Sequence, residues 1–197
     1  MTALPLPPQQ LPLTVADYVA LGEDPEGVRY ELQEGNLVMA ASPTPEHQIC
    51  IDELMHQLRG SVPPGHRAII AIDIDLQLAS PSRPGTVRRP DIVVVTRAGL
   101  ARRRQEGGVL RAYEVVLAME VISAGSERTD RTIKHLEYAD AGIPHYWVVD
   151  LGEPGDRVSL TAHHLAGEFG YADCGRVTGE FATTEPFPVR VDLDALI

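Results

Sequence analysis

Cysteine and lysine are scarce in this sequence, and long hydrophobic runs are absent from it. The two cysteines, Cys50 and Cys174, cannot form a disulfide framework or, by themselves, a zinc site, which is typical of a cytoplasmic protein. No apolar stretch approaches the ~18 residues that a membrane span needs, and the opening MTALPLPPQQLPLT lacks the basic start of a signal peptide. The chain has 16 arginines but a single lysine, Lys134, which makes this lysine a candidate for a specific chemical role.

Several familiar catalytic motifs are also missing. The sequence contains no GxGxxG, no P-loop, no HExxH, no GxSxG and no CxxC. Because these motifs carry specific phosphate-binding, metal-binding or nucleophilic geometries, their absence excludes most dinucleotide-dependent, NTP-dependent, zinc-protease and serine-hydrolase functions.

The length and composition predict one folded domain. The chain has 197 residues, of which 44% are hydrophobic and 23% charged, as in soluble globular proteins. Residues 1–12 are rich in proline and are expected to form a flexible N-terminal arm. Residues 13–197 are expected to form a single domain.

The charge is negative overall but unevenly distributed. A net charge of -11 argues against a protein that coats nucleic acid by bulk electrostatics. The stretch from Arg83 to Arg104, however, contains seven arginines and only one acidic residue, Asp91. This stretch is either a solvated loop or a patch that faces phosphate groups, with Arg88, Arg89, Arg102, Arg103 and Arg104 as candidate nucleic-acid contacts.

Hydrophobic periodicity and turn signals predict a mixture of helices and strands. The predicted helices cover 14–21, 44–59 (with Ile49, Leu54 and Leu58 buried) and 129–141 (with Thr132, Leu136 and Ala139 buried). The predicted strands cover a hairpin at 29–39, then 69–78, 91–95, 115–122 and 143–150, followed by an antiparallel meander at 158–164, 169–177 and 187–191. Residues 97–108 are expected to be a charged linker with at most one helical turn.

Strand, helix and strand over residues 115–150 form a βαβ-like crossover, which requires two parallel strands. The fold class is therefore α/β or α+β with a central mixed sheet.

Two carboxylates lie where an apolar run should leave no room for charge. Asp91 enters one strand, and Glu120 interrupts the most apolar strand, VVLAMEVI. A buried carboxylate needs a partner, which can be a cation, a metal ion or a proton. The arrangement is therefore either an ion pair with a buried arginine or an oxygen-rich site that suits Mg²⁺ or Mn²⁺.

Three further residues are candidates with a structural alternative each. Lys134 follows Asp130 by four residues, a spacing that gives a surface ion pair unless the lysine has a catalytic role. Glu31 and His47 are either structural or part of the same site, whereas His163 and His164 are interpreted as surface residues.

A family resemblance rests on three segments: RYELQEGNLVMAASPTPEHQ, RRPDIVVV and AMEVISAGSERTDRTIKHLEYADAGIPHYWVVD. Together they resemble the Uma2 family of bacterial proteins, within the PD-(D/E)xK restriction-endonuclease-like superfamily. The resemblance implies a restriction-endonuclease-like core with a central mixed sheet flanked by helices, plus C-terminal antiparallel strands. The superfamily motif places a lysine two residues after the glutamate, where this chain has Ile122. The resemblance implies that Lys134, on the following helix, replaces it.

The resemblance implies a Mg²⁺- or Mn²⁺-dependent endonuclease acting on DNA. Asp91, Glu120 and the Ile122 carbonyl would bind the metal, Lys134 would act on the attacking water, and Glu31 and His47 would lie near the site. By analogy, the enzyme could work as a homodimer. The alternatives are a catalytically weak nucleic-acid-binding or interaction protein that retains the nuclease fold, and a small-molecule hydrolase.

Overall fold

The computed structural model describes residues 12–22, 29–39, 42–122 and 129–197. The predicted N-terminal arm therefore lies outside the described residues, apart from Pro12. The α-helices are α1 (Val15–Leu21), α2 (Pro45–Leu58), α3 (Arg97–Glu106) and α4 (His135–Asp140). Residues Thr129–Lys134 form a π-helical segment that leads into α4. Among the described helices, none combines the length and the hydrophobicity that a membrane crossing needs.

Thirteen strands are present in the described part of the chain. They are β1 (Tyr30–Gln33), β2 (Asn36–Met39), β3 (His66–Ile70), β4 (Ile74–Asp75), β5 (Val87–Arg88), β6 (Ile92–Thr96), β7 (Leu110–Arg111), β8 (Val115–Ile122), β9 (His145–Asp150), β10 (Ser159–Leu165), β11 (Tyr171–Thr178), β12 (Glu180–Thr183) and β13 (Val189–Asp192).

The central sheet has six strands in the order β11-β10-β9-β8-β6-β3. β8 and β9 run parallel and are joined through α4, whereas the other neighbouring pairs are antiparallel. The predicted mixed sheet and the predicted crossover are therefore confirmed. β8 occupies the centre because seven of its eight residues are buried and most are apolar, as expected for a strand covered on both faces.

A second sheet, in the order β2-β1-β5-β4-β7, packs beside the first, and β12 and β13 form a separate antiparallel pair. One face of the central sheet is covered by α2 and the β12–β13 pair, with Leu54, Met119 and Leu193 in that core. The opposite face is covered by α4 and the second sheet, with Ile74, Ala118 and Tyr138 in that core. Glu120, which lies between Ala118 and Ile122 on this face of β8, belongs to the second of these layers.

Local signals set several helix ends as predicted. Thr14 and Asp17 form a reciprocal capping box at the start of α1, and the Thr44 hydroxyl accepts the His47 N–H at the start of α2. The glycine after α4, Gly142, has φ 73°, a left-handed conformation that ends the helix.

The predicted strand at 69–78 is wrong in part. Ala71 and Gln77 have φ values of 49° and 56°, which a continuous strand does not accommodate. The chain instead leaves the central sheet after β3 and enters the second sheet as β4. The predicted linker at 97–108 is also wrong, because α3 covers ten of its residues and the Thr96 hydroxyl accepts the Gly99 N–H at its start.

The meander was predicted with one strand too few, because β12 was missed. Its first two strands, β10 and β11, extend the central sheet beside β9. In α2, Leu54 and Leu58 are buried as predicted, but Ile49 is 56% exposed.

The predicted buried stripe of the helix at 129–141 is wrong. Thr132 and Leu136 are exposed, whereas Lys134 and Tyr138 are buried. Four residues separate Lys134 from Tyr138, which places both on one face. Polar side chains on that face contact a buried glutamate, so an apolar pattern could not reveal it.

Candidate active site

Asp91 and Glu120 lie side by side at the same end of neighbouring strands. Ile92 pairs with Met119, so Asp91 and Glu120 are the next residues along β6 and β8. Glu120 continues the alternation of Ala118 and Ile122, which pack in the core layer under α4. Asp91 directly precedes β6, and its carboxylate is contacted from α2, by His47.

Glu120 forms a buried ion pair with Lys134. Nζ of Lys134 lies 2.9 Å from Oε1 of Glu120, and the two side chains are 9% and 4% exposed. The same Nζ lies 3.5 Å from Oε1 of Glu31. Of the alternatives for Glu120, an ion pair with a buried arginine or a metal site, the ion pair is present, but its cation is the lysine. The side chain of Asp130, the alternative partner of Lys134, lies outside the described residues.

Tyr138 shares the oxygen that Lys134 contacts. Its hydroxyl donates a 2.8 Å hydrogen bond to Oε1 of Glu120. Burial, followed by the charge of Glu120, raises the pKa of Tyr138 well above its ordinary value, so the hydroxyl stays protonated and acts as a donor.

Glu31 enters the site from β1 and is held by two arginines. Its Oε2 accepts a 2.9 Å hydrogen bond from Arg88, and its Oε1 accepts one of 2.9 Å from the Arg89 backbone N–H. Burial alone would raise the pKa of Glu31, but the charges of Lys134 and Arg88 outweigh burial and lower it. Glu31 is therefore ionised at neutral pH.

His47 reaches Asp91 from the first turn of α2. Nε2 of His47 lies 3.2 Å from Oδ2 of Asp91, and the Val121 N–H donates to the same oxygen at 2.7 Å. Among the described residues, no donor contacts Oδ1 of Asp91, and the side chain is 20% exposed. Oδ1 is thus available to a cation.

Burial and the nearby charge of Asp91 raise the pKa of Cys50 to about 12, so this thiol is not a nucleophile at neutral pH.

The structure gives two of the candidate DNA contacts an internal role. Arg88 is 1% exposed and forms ion pairs with Glu31 and Glu137, so its predicted contact with phosphate does not fit this burial. Arg89 binds Asp73 through two hydrogen bonds of 2.6 and 2.8 Å, although its side chain remains 26% exposed. Arg88, in β5, thus binds Glu31 of β1 and Glu137 of α4 and holds these elements together beside the site.

The remaining candidate DNA contacts lie away from the carboxylates. Arg102, Arg103 and Arg104 belong to α3, which follows the end of β6 opposite to Asp91. The expectation that they flank the site therefore does not hold, because a full strand separates the two ends. Arg102 is also engaged by Glu114 and is 15% exposed, whereas Arg103 and Arg104 are exposed.

The donor set fits a divalent cation that retains water ligands. The carboxylate cluster joins Glu31, Glu120 and Glu137 to two basic side chains, Arg88 and Lys134, and Asp91 lies at the neighbouring strand end, so the site has an excess of negative charge. Within the described ranges, no group of three or more histidine, cysteine, aspartate or glutamate side chains could hold a metal alone. Mg²⁺ commonly uses only one or two carboxylates together with water and substrate phosphate. Ile122, the last residue of β8, lies two residues beyond Glu120, and its carbonyl ligation stays a prediction.

Two residues of this site, Tyr138 and Glu137, were missed from the sequence. The spacing of four residues between Lys134 and Tyr138 on one helix was a signal for Tyr138, since such residues share a face. Glu137 gave no signal, because its bidentate contact with Arg88 joins residues 49 positions apart.

Comparisons with known proteins identify a family and a fold. The Uma2 family, described as "Putative restriction endonuclease", matches residues 15–190. No curated protein matches the chain. A crystal structure from Anabaena variabilis, described as "a putative nuclease belonging to DUF820", is similar with a TM-score of 0.67 and 18% sequence identity. The match covers 94% of this chain and 97% of that one, which shows the shared fold.

The family description supports a nuclease function, and the similar structure shows that the fold is shared. The matched residues include both candidate carboxylates, Lys134 and the whole of the central sheet. The chain therefore belongs to the Uma2 family.

Proposed function

We propose that this protein is a Mg²⁺-dependent endonuclease that hydrolyses DNA phosphodiester bonds. The observation that carries the proposal is the position of the only lysine. Lys134 comes from a helix, yet its ammonium contacts the strand glutamate, Glu120, beside Asp91. An ammonium in contact with one carboxylate, with a second carboxylate at the end of the neighbouring strand, supports the proposal, because phosphodiester hydrolysis uses such groups for metal binding and charge stabilisation.

Asp91 and Glu120 would hold the cation, with the Ile122 carbonyl as a further ligand. A bound Mg²⁺ would polarise the phosphate and lower the pKa of its water. The Val121 N–H and His47 fix Oδ2 of Asp91, which leaves Oδ1 directed away from them. His47 is thus assigned to orienting Asp91.

Lys134 would orient the attacking water and offset the charge that develops on the phosphate. A compact ammonium suits this role because it carries three donors on a long stem. Glu31 also contacts the ammonium, at 3.5 Å, and Arg88 in turn holds Glu31. Deleting Lys134 would therefore remove both a donor and a charge.

The DNA would be bound against an overall negative protein. Arg103 and Arg104 are exposed on α3 and remain candidate phosphate contacts, distant from the cleavage site. Cation binding would reduce the negative charge of the carboxylate cluster before DNA approaches, which predicts that DNA affinity rises with Mg²⁺.

The testing experiment is a nuclease assay on supercoiled circular and single-stranded DNA with Mg²⁺, Mn²⁺ or EDTA. The parent should cleave with either metal, and Glu120→Gln should not. Glu168→Gln removes the same charge at an exposed turn and should leave cleavage unchanged, since Glu168 lies outside the carboxylate cluster. Metal-independent cleavage, or equal cleavage by Glu120→Gln, would contradict the proposal.

The alternative is a catalytically weak nucleic-acid-binding or interaction protein that retains the fold. The absence, among the described residues, of three metal-ligating side chains in one group favours it. It predicts DNA retention on a filter without cleavage under any metal condition. The expected homodimer, which paired cuts in duplex DNA would need, is tested by sedimentation equilibrium with and without DNA.

A further inference from the structure

Tyr138 is more rigid than Lys134, the other donor to Glu120 in the described part of the chain. Its side chain is fully buried, and its ring packs edge-on against Tyr146 with the ring centres 5.1 Å apart. The core therefore fixes the hydroxyl in space. The Lys134 ammonium, in contrast, lies at the end of a stem of four methylene groups.

Both donors contact the same oxygen, Oε1, at 2.8 and 2.9 Å. Two donors on one oxygen restrict the side-chain torsions of Glu120 and determine how its carboxylate plane is turned. If Lys134 alone held the carboxylate, any movement of the ammonium toward water or phosphate would release Glu120.

We propose that Tyr138 is a positioning residue, which fixes the Glu120 carboxylate so that it binds a divalent cation while Lys134 contacts water and phosphate. The inference rests on the proposed function and deepens it. Groups that orient a metal ligand affect metal affinity or activity by about 10–100-fold when they are removed.

Tyr138→Phe is the sharpest variant, because it deletes one oxygen atom and retains the ring that packs on Tyr146. Tyr171→Phe is the matched control. The Tyr171 hydroxyl also donates a hydrogen bond, of 2.7 Å, but to the Ile143 carbonyl and not to the site. Both variants lose one hydrogen-bonded hydroxyl, so similar shifts in the urea midpoint are expected.

The readout uses the single lysine. Protein grown with ¹³C-labelled lysine gives one lysine spectrum, from Lys134, apart from any lysine that a purification tag would add. Mn²⁺ bound beside Glu120 broadens these signals by its paramagnetism, so the titration measures metal affinity without turnover.

We expect the midpoint of Mn²⁺ broadening to rise at least about 10-fold in Tyr138→Phe and to stay unchanged in Tyr171→Phe. In cleavage assays, Tyr138→Phe should lower kcat with the KM for DNA unchanged. An unchanged midpoint and kcat in Tyr138→Phe, with normal broadening in the parent, would overturn the positioning role alone. Absence of broadening in the parent would overturn the metal site and this inference together.

Discussion

Nζ of Lys134 lies 2.9 Å from Oε1 of Glu120, although the two residues come from a helix and a strand that are separated by 14 positions. The ion pair is almost fully buried, with side chains 9% and 4% exposed. In such surroundings neither charge is tolerable alone, because removing one partner leaves the other desolvated and uncompensated. The same contact therefore supports the fold and supplies the proposed chemistry.

Removal of Lys134 should affect both stability and cleavage. Lys134→Met should abolish cleavage and lower the free energy of unfolding by about 3–5 kcal/mol, because Glu120 and Glu31 lose their shared cation. This loss of stability is much larger than the loss expected for an exposed lysine on a helix. Lys134→Arg should not restore cleavage, since the planar guanidinium has a different shape. Urea unfolding and the plasmid assay measure the two effects.

The double variant Lys134→Met with Glu120→Gln tests whether the uncompensated charge of Glu120 causes the loss of stability. Neutralising Glu120 should recover part of the lost stability but none of the cleavage. Full stability and metal-dependent cleavage by Lys134→Met would contradict the assigned role of the lysine.

Arg88 should act on stability and not on DNA affinity. Arg88→Met removes the common partner of Glu31, which is buried, and of Glu137, whose side chain is 15% exposed, and should cost about 3–5 kcal/mol. Arg190→Met is the matched control. It removes an arginine whose ion pair with Glu180 is exposed, at 74% and 61% of the two side chains, so we expect a loss below about 1 kcal/mol. Equal losses in the free energy of unfolding would show that the Arg88 ion pairs contribute no more to stability than an exposed ion pair.

Arg103 and Arg104 provide the test of DNA contact on α3. Replacing both with Ala should weaken binding to all DNA sequences equally and reduce the slope of log affinity against log salt by up to about two units. Filter binding between low and moderate salt measures the slope. An unchanged slope would assign these arginines to solvent. Arg102→Ala should instead lower stability, because Glu114 loses its partner.

His163, interpreted from the sequence as a surface residue, is instead partly buried and predicts a specific dependence of stability on pH. Burial, followed by the positive charge of His135, lowers the pKa of His163 to about 4, although Asp173 opposes this shift. The unfolded chain takes up this proton near pH 6.5, whereas the folded protein takes it up near pH 4. Between these values the unfolded state binds more protons, so the free energy of unfolding falls as the pH is lowered.

His163→Phe should therefore lose less stability than the parent between pH 7 and pH 4.5, as measured by urea unfolding at each pH. The ring of His163 stacks on Tyr146 with centres 5.8 Å apart, a packing that Phe retains. Parallel losses in both proteins would show that His163 titrates normally. Glu31 acts in the same direction, but only below the ordinary glutamate pKa, because its own pKa is lowered further.

The sequence predicted elements whose cause is local. The boundaries of β8 follow from eight consecutive residues that are mostly β-branched or apolar, and α1 follows from Thr14 and Asp17. Asp91, Glu120 and Lys134 were identified as candidates because charge inside an apolar run, or a unique residue type, is visible in one dimension. Their catalytic roles stay predictions.

The remaining features depend on contacts between distant residues. The burial of Arg88 is set by Glu31 and Glu137, which lie 57 and 49 positions away. The inward face of α4 is polar, so hydrophobic periodicity selected Leu136, which is 58% exposed. The helical character of α3 was hidden because four of its ten residues are arginines, and Arg102 is balanced by Glu114 only in the fold.

The buried position of Lys134 also determines how the protein reacts with amine-directed reagents. The chain has no other lysine, and this one is 7% exposed. Reductive methylation of the folded protein should therefore modify the terminal amine and spare the side chain. Methylation of Lys134 then requires local opening of the segment that carries it. The rate of this methylation, followed by mass spectrometry, therefore measures how often the site opens.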